Sequence, residues 1–347
     1  MLFKYLRNWA PIIAGVFLGF SFGTALTFLD VPLGWLLGAL LSGGIVSNFF
    51  TPLGETKKMR RAGQLLIGTA TVGTLSPEIL KLIIELLPLM LGAAVAANIV
   101  GVLMALPFIH FTRLDRLTAL LSCLPAGAAE MASLAADFGG RVEVVTASHT
   151  IRVVIVVLTV PILVGISGST VIDPNINEES FGTLALCLVG GGLLAVLGTR
   201  FKILSVWILA PISVGVLLVS SGYSVAIMPP WMLILAQLLI GFSLGTKLNV
   251  ADFFQLRRAV IFSVLTSLAL IFVMILLIAP IVTWMTDVDL VTSALSVAPG
   301  GLGEMIAAAK FNNATVGIVV GFQLVRAVAT NLIMPPIIIR FAANPNP

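Results

Sequence analysis

Runs of about 18–25 apolar residues, each long enough to cross a lipid bilayer as a helix, recur along the whole chain. Apolar residues make up 59% of the 347 residues and charged residues only 10%, whereas a soluble domain carries roughly 25% charged residues. Much of the apolar surface must therefore face lipid, and the sequence predicts an all-α, polytopic membrane protein. The twelve apolar segments are 10–28, 32–50, 62–76, 80–109, 117–137, 142–167, 181–199, 204–221, 229–246, 259–284, 290–310 and 314–340.

The polar residues of the chain exclude several other classes of protein. Lys4 and Arg7 precede the first apolar segment, but this segment is long and no small-x-small cleavage site follows it, so we expect a retained first span. No run of Lys and Arg with interleaved aromatics is present, so nucleic acid is not an expected partner. Cys123 and Cys187 lie in apolar stretches, which indicates buried packing residues rather than a disulfide or a metal pair.

Segments five and eleven are interrupted by proline and glycine. The interruptions read LPAGAAEM at 124–131 and APGGLGEM at 298–305. Proline removes a backbone donor, and glycine permits non-helical backbone angles. A break at membrane depth is tolerated only where it is buried in protein or lines a wet cavity. The two motifs therefore mark a candidate functional site.

The chain also repeats itself at an offset of 172–174 residues, which predicts a first repeat at 1–170 and a second at 171–347. Apolar sequences match easily by chance. Chance is a poor explanation, however, for a glutamate and an arginine that are separated by 22 residues in both copies. QLLIG at 64–68 recurs at 237–241, and Pro125, Gly127, Glu130, Met131, Arg152 and Pro161 align with Pro299, Gly301, Glu304, Met305, Arg326 and Pro335.

Charges in the connecting loops indicate that the two repeats have opposite orientations. Short cytoplasmic loops are enriched in Lys and Arg. The basic loops of the first repeat have non-basic counterparts in the second, and the reverse also holds. The basic loop residues are Lys57, Lys58, Arg60, Arg61, Arg113 and Arg116 in the first repeat, and Arg200, Lys202, Lys247, Arg257 and Arg258 in the second.

An inverted repeat needs an odd number of crossings per repeat, whereas each copy has six apolar segments. We therefore expect about ten transmembrane helices plus two re-entrant segments, five and eleven, with arms of about eight residues, or about 12 Å of helix. This topology places the acidic loop at 168–180 outside and Arg340 inside. Twelve full crossings are the alternative.

The two glutamates and two arginines of the repeat are the strongest candidates for ion or substrate binding. Glu130 and Glu304 just follow the breaks, where they would either couple transport to an ion or proton or cap a helix N-terminus. Arg152 and Arg326 lie inside long apolar spans and stay charged there. They would form either structural ion pairs with a glutamate or a bidentate clamp on a substrate carboxylate.

Further candidates are polar residues that recur in the repeat, together with the tips of the breaks. Helix packing is an alternative role for the two glutamines of QLLIG. His149 lies one turn before Arg152, and its repeat partner is a glutamine, which favours a hydrogen-bonding site over a metal site. These candidates are Gln64, Gln237, His149, Gln323, Pro125, Gly127, Pro299, Gly300 and Gly301.

The doubled pattern of PAGAAEM with Arg152 and Pro161, and of PGGLGEM with Arg326 and Pro335, resembles the AbrB-type membrane protein family. This family is distinct from the small soluble DNA-binding regulator of similar name, and its members are often labelled ammonia monooxygenases or regulators. The resemblance covers nearly the whole chain. It implies inverted repeats with crossed, interrupted helices, a core-and-panel architecture and elevator-like alternating access. PAG in place of PGG in the first copy implies that the two tips are unequal.

The function expected from these features is secondary transport of a small organic solute, an anion by preference, coupled to Na⁺ or H⁺. No P-loop for ATP is present. A metal-dependent oxygenase needs several His or carboxylate ligands, and the chain has only two histidines, so we expect neither an enzyme nor a resident cofactor. A membrane-embedded regulator or sensor without transport is the alternative. The resemblance also implies a bacterial inner-membrane location and is compatible with a homodimer.

Overall fold

The computed structural model describes residues 2–29, 31, 33–49, 56–164, 181–201, 205–248 and 255–342. It describes their side chains except those of residues 2–10, 129–130, 161–162, 164, 331–333 and 335–342. Predictions that concern the acidic loop at 168–180, Lys202, or the side chains of Glu130, Pro161 and Pro335 lie outside the described residues.

The described residues are helical nearly throughout, and no strand occurs among them. The observed helices follow the apolar segments closely, but the third begins earlier and segment four is divided in two near Leu86. The helices are α1 (Leu2–Phe28), α2 (Gly34–Phe49), α3 (Thr56–Val72), α4 (Pro77–Glu85), α5 (Leu87–Thr112), α6 (Arg116–Cys123), α7 (Ala128–Phe138), α8 (Val142–Val164), α9 (Phe181–Arg200), α10 (Val206–Ser220), α11 (Pro230–Gly245), α12 (Arg257–Val273), α13 (Ala279–Met285), α14 (Leu290–Val297), α15 (Leu302–Phe311) and α16 (Val316–Ala342), with a π-helical turn at Met274–Ile278 between α12 and α13.

Several of these helices are long and apolar enough to cross a membrane. Within the described residues, five meet this criterion, and a sixth is added if α3 and α4, which meet at 102°, form one broken span. Shorter apolar helices such as α2, with 16 residues or about 24 Å of rise, fall below the roughly 30 Å of a bilayer core. The chain is thus a helical, multi-pass membrane protein, while the ten-crossing inverted topology stays a prediction. The five spans are Pro11–Phe28, Leu87–Thr112, Val142–Val160, Phe181–Arg200 and Arg257–Met285.

The chain forms two compact units, and each unit takes one long segment from each half of the sequence. Unit 1 comprises Met1–Leu82 and Ser167–Asn249 with Thr315–Gly317. Unit 2 comprises Ile83–Ile166, Val250–Ala314 and Ile318–Pro347. The two compact units do not coincide with the two repeats predicted from the sequence, 1–170 and 171–347. The predicted repeat boundary therefore stays a prediction.

Unit 1 is held together by close contacts between helix backbones. A Cβ at Gly38 of α2 would overlap backbone atoms of Gly23 in α1, and a Cβ at Gly245 of α11 would overlap the carbonyl oxygen of Leu40 in α2. Only glycine permits helices to approach this closely, a common way of packing membrane helices where apolar burial gives little driving force. Helix α2 is thereby fixed between α1 and α11.

Unit 2 contains both proline-glycine motifs, and its helix α5 shows how an apolar sequence is divided between lipid and protein. One stripe of α5 is exposed and wholly apolar, as expected of a face in contact with lipid. The other face consists mostly of small residues that pack against the rest of the unit. The exposed residues are Leu91, Val95, Ile99, Leu103 and Leu106, and the buried ones are Met90, Ala93, Ala94, Ala97, Asn98, Gly101, Ala105 and Phe108.

Candidate functional site

The first proline-glycine motif breaks a helix into two short arms. Helix α6 begins at Asp115, whose carboxylate accepts a hydrogen bond from the Thr118 N–H at 2.7 Å. It ends before Pro125, which cannot donate a backbone hydrogen bond. The N–H of Ala126 then donates to the Leu124 carbonyl at 2.9 Å, across only two residues, which is the pattern of a γ-turn. The chain leaves this turn in extended conformation at Gly127 and begins α7.

The second motif builds the same break from the equivalent residues, 174 positions further on. Asp289 caps α14 by accepting from the Thr292 N–H at 2.8 Å. The Gly300 N–H donates to the Ala298 carbonyl at 2.9 Å around Pro299, and Gly301 precedes α15. The arms have 8 to 11 residues, close to the eight expected from the sequence. The predicted interruption of both segments is therefore confirmed.

Each break is braced by a buried arginine from another helix. The guanidinium of Arg152, on α8, donates to the carbonyl oxygens of Ser122 at 2.7 Å and Leu124 at 2.5 Å. That of Arg326, on α16, donates to the carbonyl oxygens of Ala298 and Gly300, both at 2.7 Å. These oxygens belong to the ends of α6 and α14, where the helix no longer supplies donors. Both side chains are buried, with 3% and 8% of their surface exposed.

The residue one turn before each arginine supports the same helix end. Nε2 of His149 lies 2.8 Å from the Leu121 carbonyl oxygen. A carbonyl can only accept, so Nε2 carries the proton. Nε2 of Gln323 lies 3.0–3.1 Å from the carbonyl oxygens of Leu295, Ser296 and Ala298. Both side chains therefore bind the backbone of the breaks, and their predicted part in substrate or ion binding stays a prediction.

The two breaks are neighbours within unit 2. Helix α8, which carries Arg152, packs against both arms of the first broken helix and both arms of the second. Neither the guanidinium of Arg152 nor that of Arg326 forms an ion pair with a carboxylate among the side chains that the structure describes, and both Nε atoms are buried without a hydrogen-bond partner. The hydrogen bonds described for the two guanidinium groups go to backbone carbonyls, and the predicted ion pair with a glutamate stays a prediction because the Glu130 side chain lies outside the described residues.

Glu304 lies in the first turn of α15 and is almost completely buried. Its carboxylate folds back over Gly301, since a Cβ on Gly301 would collide with Oε2 of Glu304. An acid at this position facing the residue before the helix is the arrangement of a capping box. Both predicted roles of Glu304, helix capping and coupling to an ion or proton, stay predictions.

The tips of the two breaks differ, as the change from PGG to PAG predicts. A Cβ at Gly300 would lie 2.7–2.9 Å from the side chain of Met305, so a larger residue in the second tip would require this side chain to move. The equivalent position in the first tip is Ala126. The arginines differ as well: Arg152 binds carbonyls on the α6 side of its proline only, whereas Arg326 reaches past Pro299 to Gly300.

Two supporting features of the breaks could not be recognised as such in the sequence. Gly101 of α5 lies against the first break, where an added Cβ would be 3.0 Å from Pro125 and 3.2 Å from the Cys123 carbonyl. The matching stretch beside the second break contains the π-helical turn at Met274–Ile278, which packs on α14. The caps Asp115 and Asp289, by contrast, could have been found from their spacing of 174 residues.

Gln64 and Gln237 belong to unit 1, whereas the two breaks belong to unit 2. Gln64 lies half-buried on α3, and Gln237 is buried on α11. The two helices pack together, with a Cβ at Gly63 falling 2.7 Å from Ile240. Within the part of the chain that the structure describes, no three His, Cys, Asp or Glu side chains gather in a way that could hold a metal ion.

An all-helical apolar chain with two neighbouring helix breaks, each braced by a buried arginine, defines a class of multi-pass membrane proteins with discontinuous helices. A family model described as "Transition state regulatory protein AbrB" matches residues 35–342, and the chain belongs to this AbrB family. It is 25% identical over 343 residues to "Uncharacterized protein YhjN" of Bacillus subtilis (strain 168), covering 90% of this chain and 88% of the relative. It is 24% identical over 325 residues to "Putative regulator AbrB" of Escherichia coli (strain K12), covering 91% and 92%. No solved structure matches the chain.

Proposed function

We propose that this protein is a secondary transporter of a small organic anion, coupled to an ion or a proton, with its site at the two broken helices. The observation that carries the proposal is the pair of breaks in unit 2, each braced by a buried arginine. Interrupted helices in transporters commonly place substrate and ion sites where the breaks meet. The same proposal assigns the protein to the bacterial inner membrane and assigns it no catalytic reaction.

The charges around the breaks favour a negatively charged substrate. The N-termini of α7 and α15 each contribute a partial positive charge and free N–H groups. Two guanidinium groups add full positive charges that cannot be removed by deprotonation. Glu304, in the first turn of α15, is a buried carboxylate at the second break. A carboxylate or similar anion would therefore be attracted to the breaks, with the two Nε–H groups as available donors.

The composition of the two compact units supports an elevator-like mechanism. Unit 2 holds both breaks and both arginines, while unit 1 holds α1–α3 and α9–α11. Each unit draws on both halves of the chain, as expected of a mobile core and a fixed panel that are each made from two repeats. In this mechanism unit 2 carries the substrate across the membrane while unit 1 stays in place.

The alternative function is that of a membrane-embedded regulator or sensor that binds a ligand without moving it. The name of the Escherichia coli relative, which describes that protein as a regulator, is the observation that favours it. The two functions share a ligand site but differ in whether the ligand crosses the membrane.

Ligand binding is tested by thermal unfolding of the purified protein with a panel of small organic acids, amines and amino acids. A ligand that binds only the folded state stabilises it by about 2.7 kcal/mol at a hundredfold excess over its Kd. We expect an organic anion to stabilise the protein and the effect to be lost in Arg152→Gln and Arg326→Gln. Arg116→Gln, which changes an exposed arginine of α6, should retain it. If no anion stabilises the protein, the proposed substrate class is wrong.

Transport is tested by uptake of the stabilising anion into proteoliposomes under imposed Na⁺ or H⁺ gradients. We expect gradient-driven uptake in the wild type, and loss of uptake with retained folding when Glu130 and Glu304 are both changed to Gln. Full activity of this double variant would leave the two glutamates with a capping role only. Binding without uptake in the wild type would favour the regulator. Chemical cross-linking in native membranes would test whether the protein is a homodimer.

A further inference from the structure

We propose that Arg152 and Arg326 are built-in cations of the two helix breaks and exclude sodium as the coupling ion at this site. This inference rests on the proposed function, because a coupling ion is relevant only to a transporter or a ligand-binding protein. The carbonyl oxygens that the breaks free are already bound by positively charged side chains of the protein.

A broken helix in a membrane leaves carbonyl oxygens at the end of its first arm, and these need donors or cations. In interrupted transporter helices, such freed carbonyls are one place where Na⁺ is coordinated. The freed carbonyls here lie in the last turn of α6, at the residue that follows α6, and at residues that follow α14. Four of them, on Ser122, Leu124, Ala298 and Gly300, accept hydrogen bonds from guanidinium nitrogens at 2.5–2.7 Å.

The arginines hold these oxygens in the manner of a bound cation. Each guanidinium uses both terminal nitrogens on two carbonyls of the same break, and hydrogen bonds from ionised donors are stronger than neutral ones. The group keeps its charge under all ordinary conditions. Since each guanidinium carries a full positive charge, a further cation placed beside it would be repelled.

Two further described side chains direct donors at the same helix ends. His149 points its protonated Nε2 at the Leu121 carbonyl, and Gln323 directs its amide nitrogen to the carbonyls of Leu295, Ser296 and Ala298. These donors engage further oxygens of the helix ends. The buried Nε–H groups of the arginines suit an anion. The donors described at the two breaks therefore favour negative charge.

The inference is tested by thermal unfolding of the ligand-free protein in chloride salts of Na⁺, K⁺, choline and guanidinium at equal, millimolar concentrations. We expect no stabilisation of the wild type by Na⁺ over K⁺ or choline. Arg326→Ala vacates the carbonyls of Ala298 and Gly300, so we expect this variant to be stabilised selectively by guanidinium or Na⁺. Arg116→Ala, at an exposed arginine, should show no selective effect.

Two results would overturn the inference: stabilisation of the wild type by Na⁺ at least as large as that of Arg326→Ala, or no response of Arg326→Ala to either cation. If Arg326→Ala does not fold, Arg326→Lys is used, because it keeps a positive charge at the break. The lysine variant should remain insensitive to Na⁺, and a Na⁺-specific stabilisation of it would contradict the inference. These measurements need no substrate, so their outcome is separate from that of the transport proposal.

Discussion

At the scale of single residues, the two breaks are equivalent in backbone but not in the space around their tips. Pro125 and Pro299 each stand inside a two-residue turn whose donor is the following amide, from Ala126 and from Gly300. Alanine is accommodated in the first tip, whereas Met305 fills the corresponding space in the second. A larger residue at position 300 would therefore have to displace the Met305 side chain, whereas the backbone angles of Gly300 are ordinary.

The packing of Gly300 predicts unequal effects of exchanging the two tip residues. Gly300→Ala should destabilise the protein by roughly 1–3 kcal/mol, because the added methyl group meets the side chain of Met305 and forces it to move. Ala126→Gly, the matched change in the first tip, should cost only about 0.5–1 kcal/mol. Thermal unfolding in detergent measures both. Equal losses would show that the two tips have the same space.

At the scale of elements, the short arms α6 and α14 depend on their ends. Each has eight residues, too few for a stable isolated helix. At the N-terminal end of each arm, an aspartate carboxylate accepts a hydrogen bond from a backbone N–H. At the C-terminal end, an arginine from another helix donates to a backbone carbonyl. The arms are therefore held in place chiefly by contacts that come from outside their own sequence.

The caps should be measurable as individual contributions. We expect Asp115→Ala and Asp289→Ala each to lower stability by about 1 kcal/mol, because each removes the acceptor of a first-turn N–H. Asp287→Ala changes an exposed aspartate two residues before α14's cap and serves as the control for loss of charge. A loss as large for Asp287→Ala as for Asp289→Ala would argue against capping and for a general charge effect.

Helix α5 offers an internal comparison of two glycines. Alanine for glycine within a helix is favoured by about 1 kcal/mol from intrinsic propensity. At Gly92 no atom lies within 4 Å of the added Cβ, whereas at Gly101 the Cβ would meet the first break at 3.0–3.3 Å. Thermal unfolding should therefore show that Gly92→Ala stabilises the protein and Gly101→Ala does not. Similar gains at both positions would mean that α5 does not press on the break.

At the scale of the whole molecule, the number of crossings decides on which side of the membrane the outer ends of the broken helices lie. If α6 and α7 form a re-entrant hairpin, their outer ends should reach the same side. In a background without Cys123 and Cys187, Arg116→Cys and Phe138→Cys should then be labelled by a membrane-impermeant maleimide from one face only. Lys57→Cys, in the basic first turn of α3, which is expected at the cytoplasmic face, should be labelled from that face too. Labelling of the first two from opposite faces would favour twelve crossings.

Much of the architecture follows from local properties of the sequence. Apolar runs must bury their backbone polar groups in helices when they enter lipid, so segment boundaries and helix boundaries agree closely. The breaks at Pro125 and Pro299 were predictable because proline lacks a donor. The pairing of His149 with Gln323 was predictable because both copies keep a polar residue one turn before the arginine.

The partners of the buried charges were decided only by tertiary structure. The sequence shows that Arg152 and Arg326 need partners, and it offered a glutamate or a substrate carboxylate. The structure adds backbone carbonyls as partners, because each break frees several of them next to α8 or α16. The same holds for Gly101 and the π-helical turn, since contacts between helices distant in the chain depend on packing that no local pattern encodes.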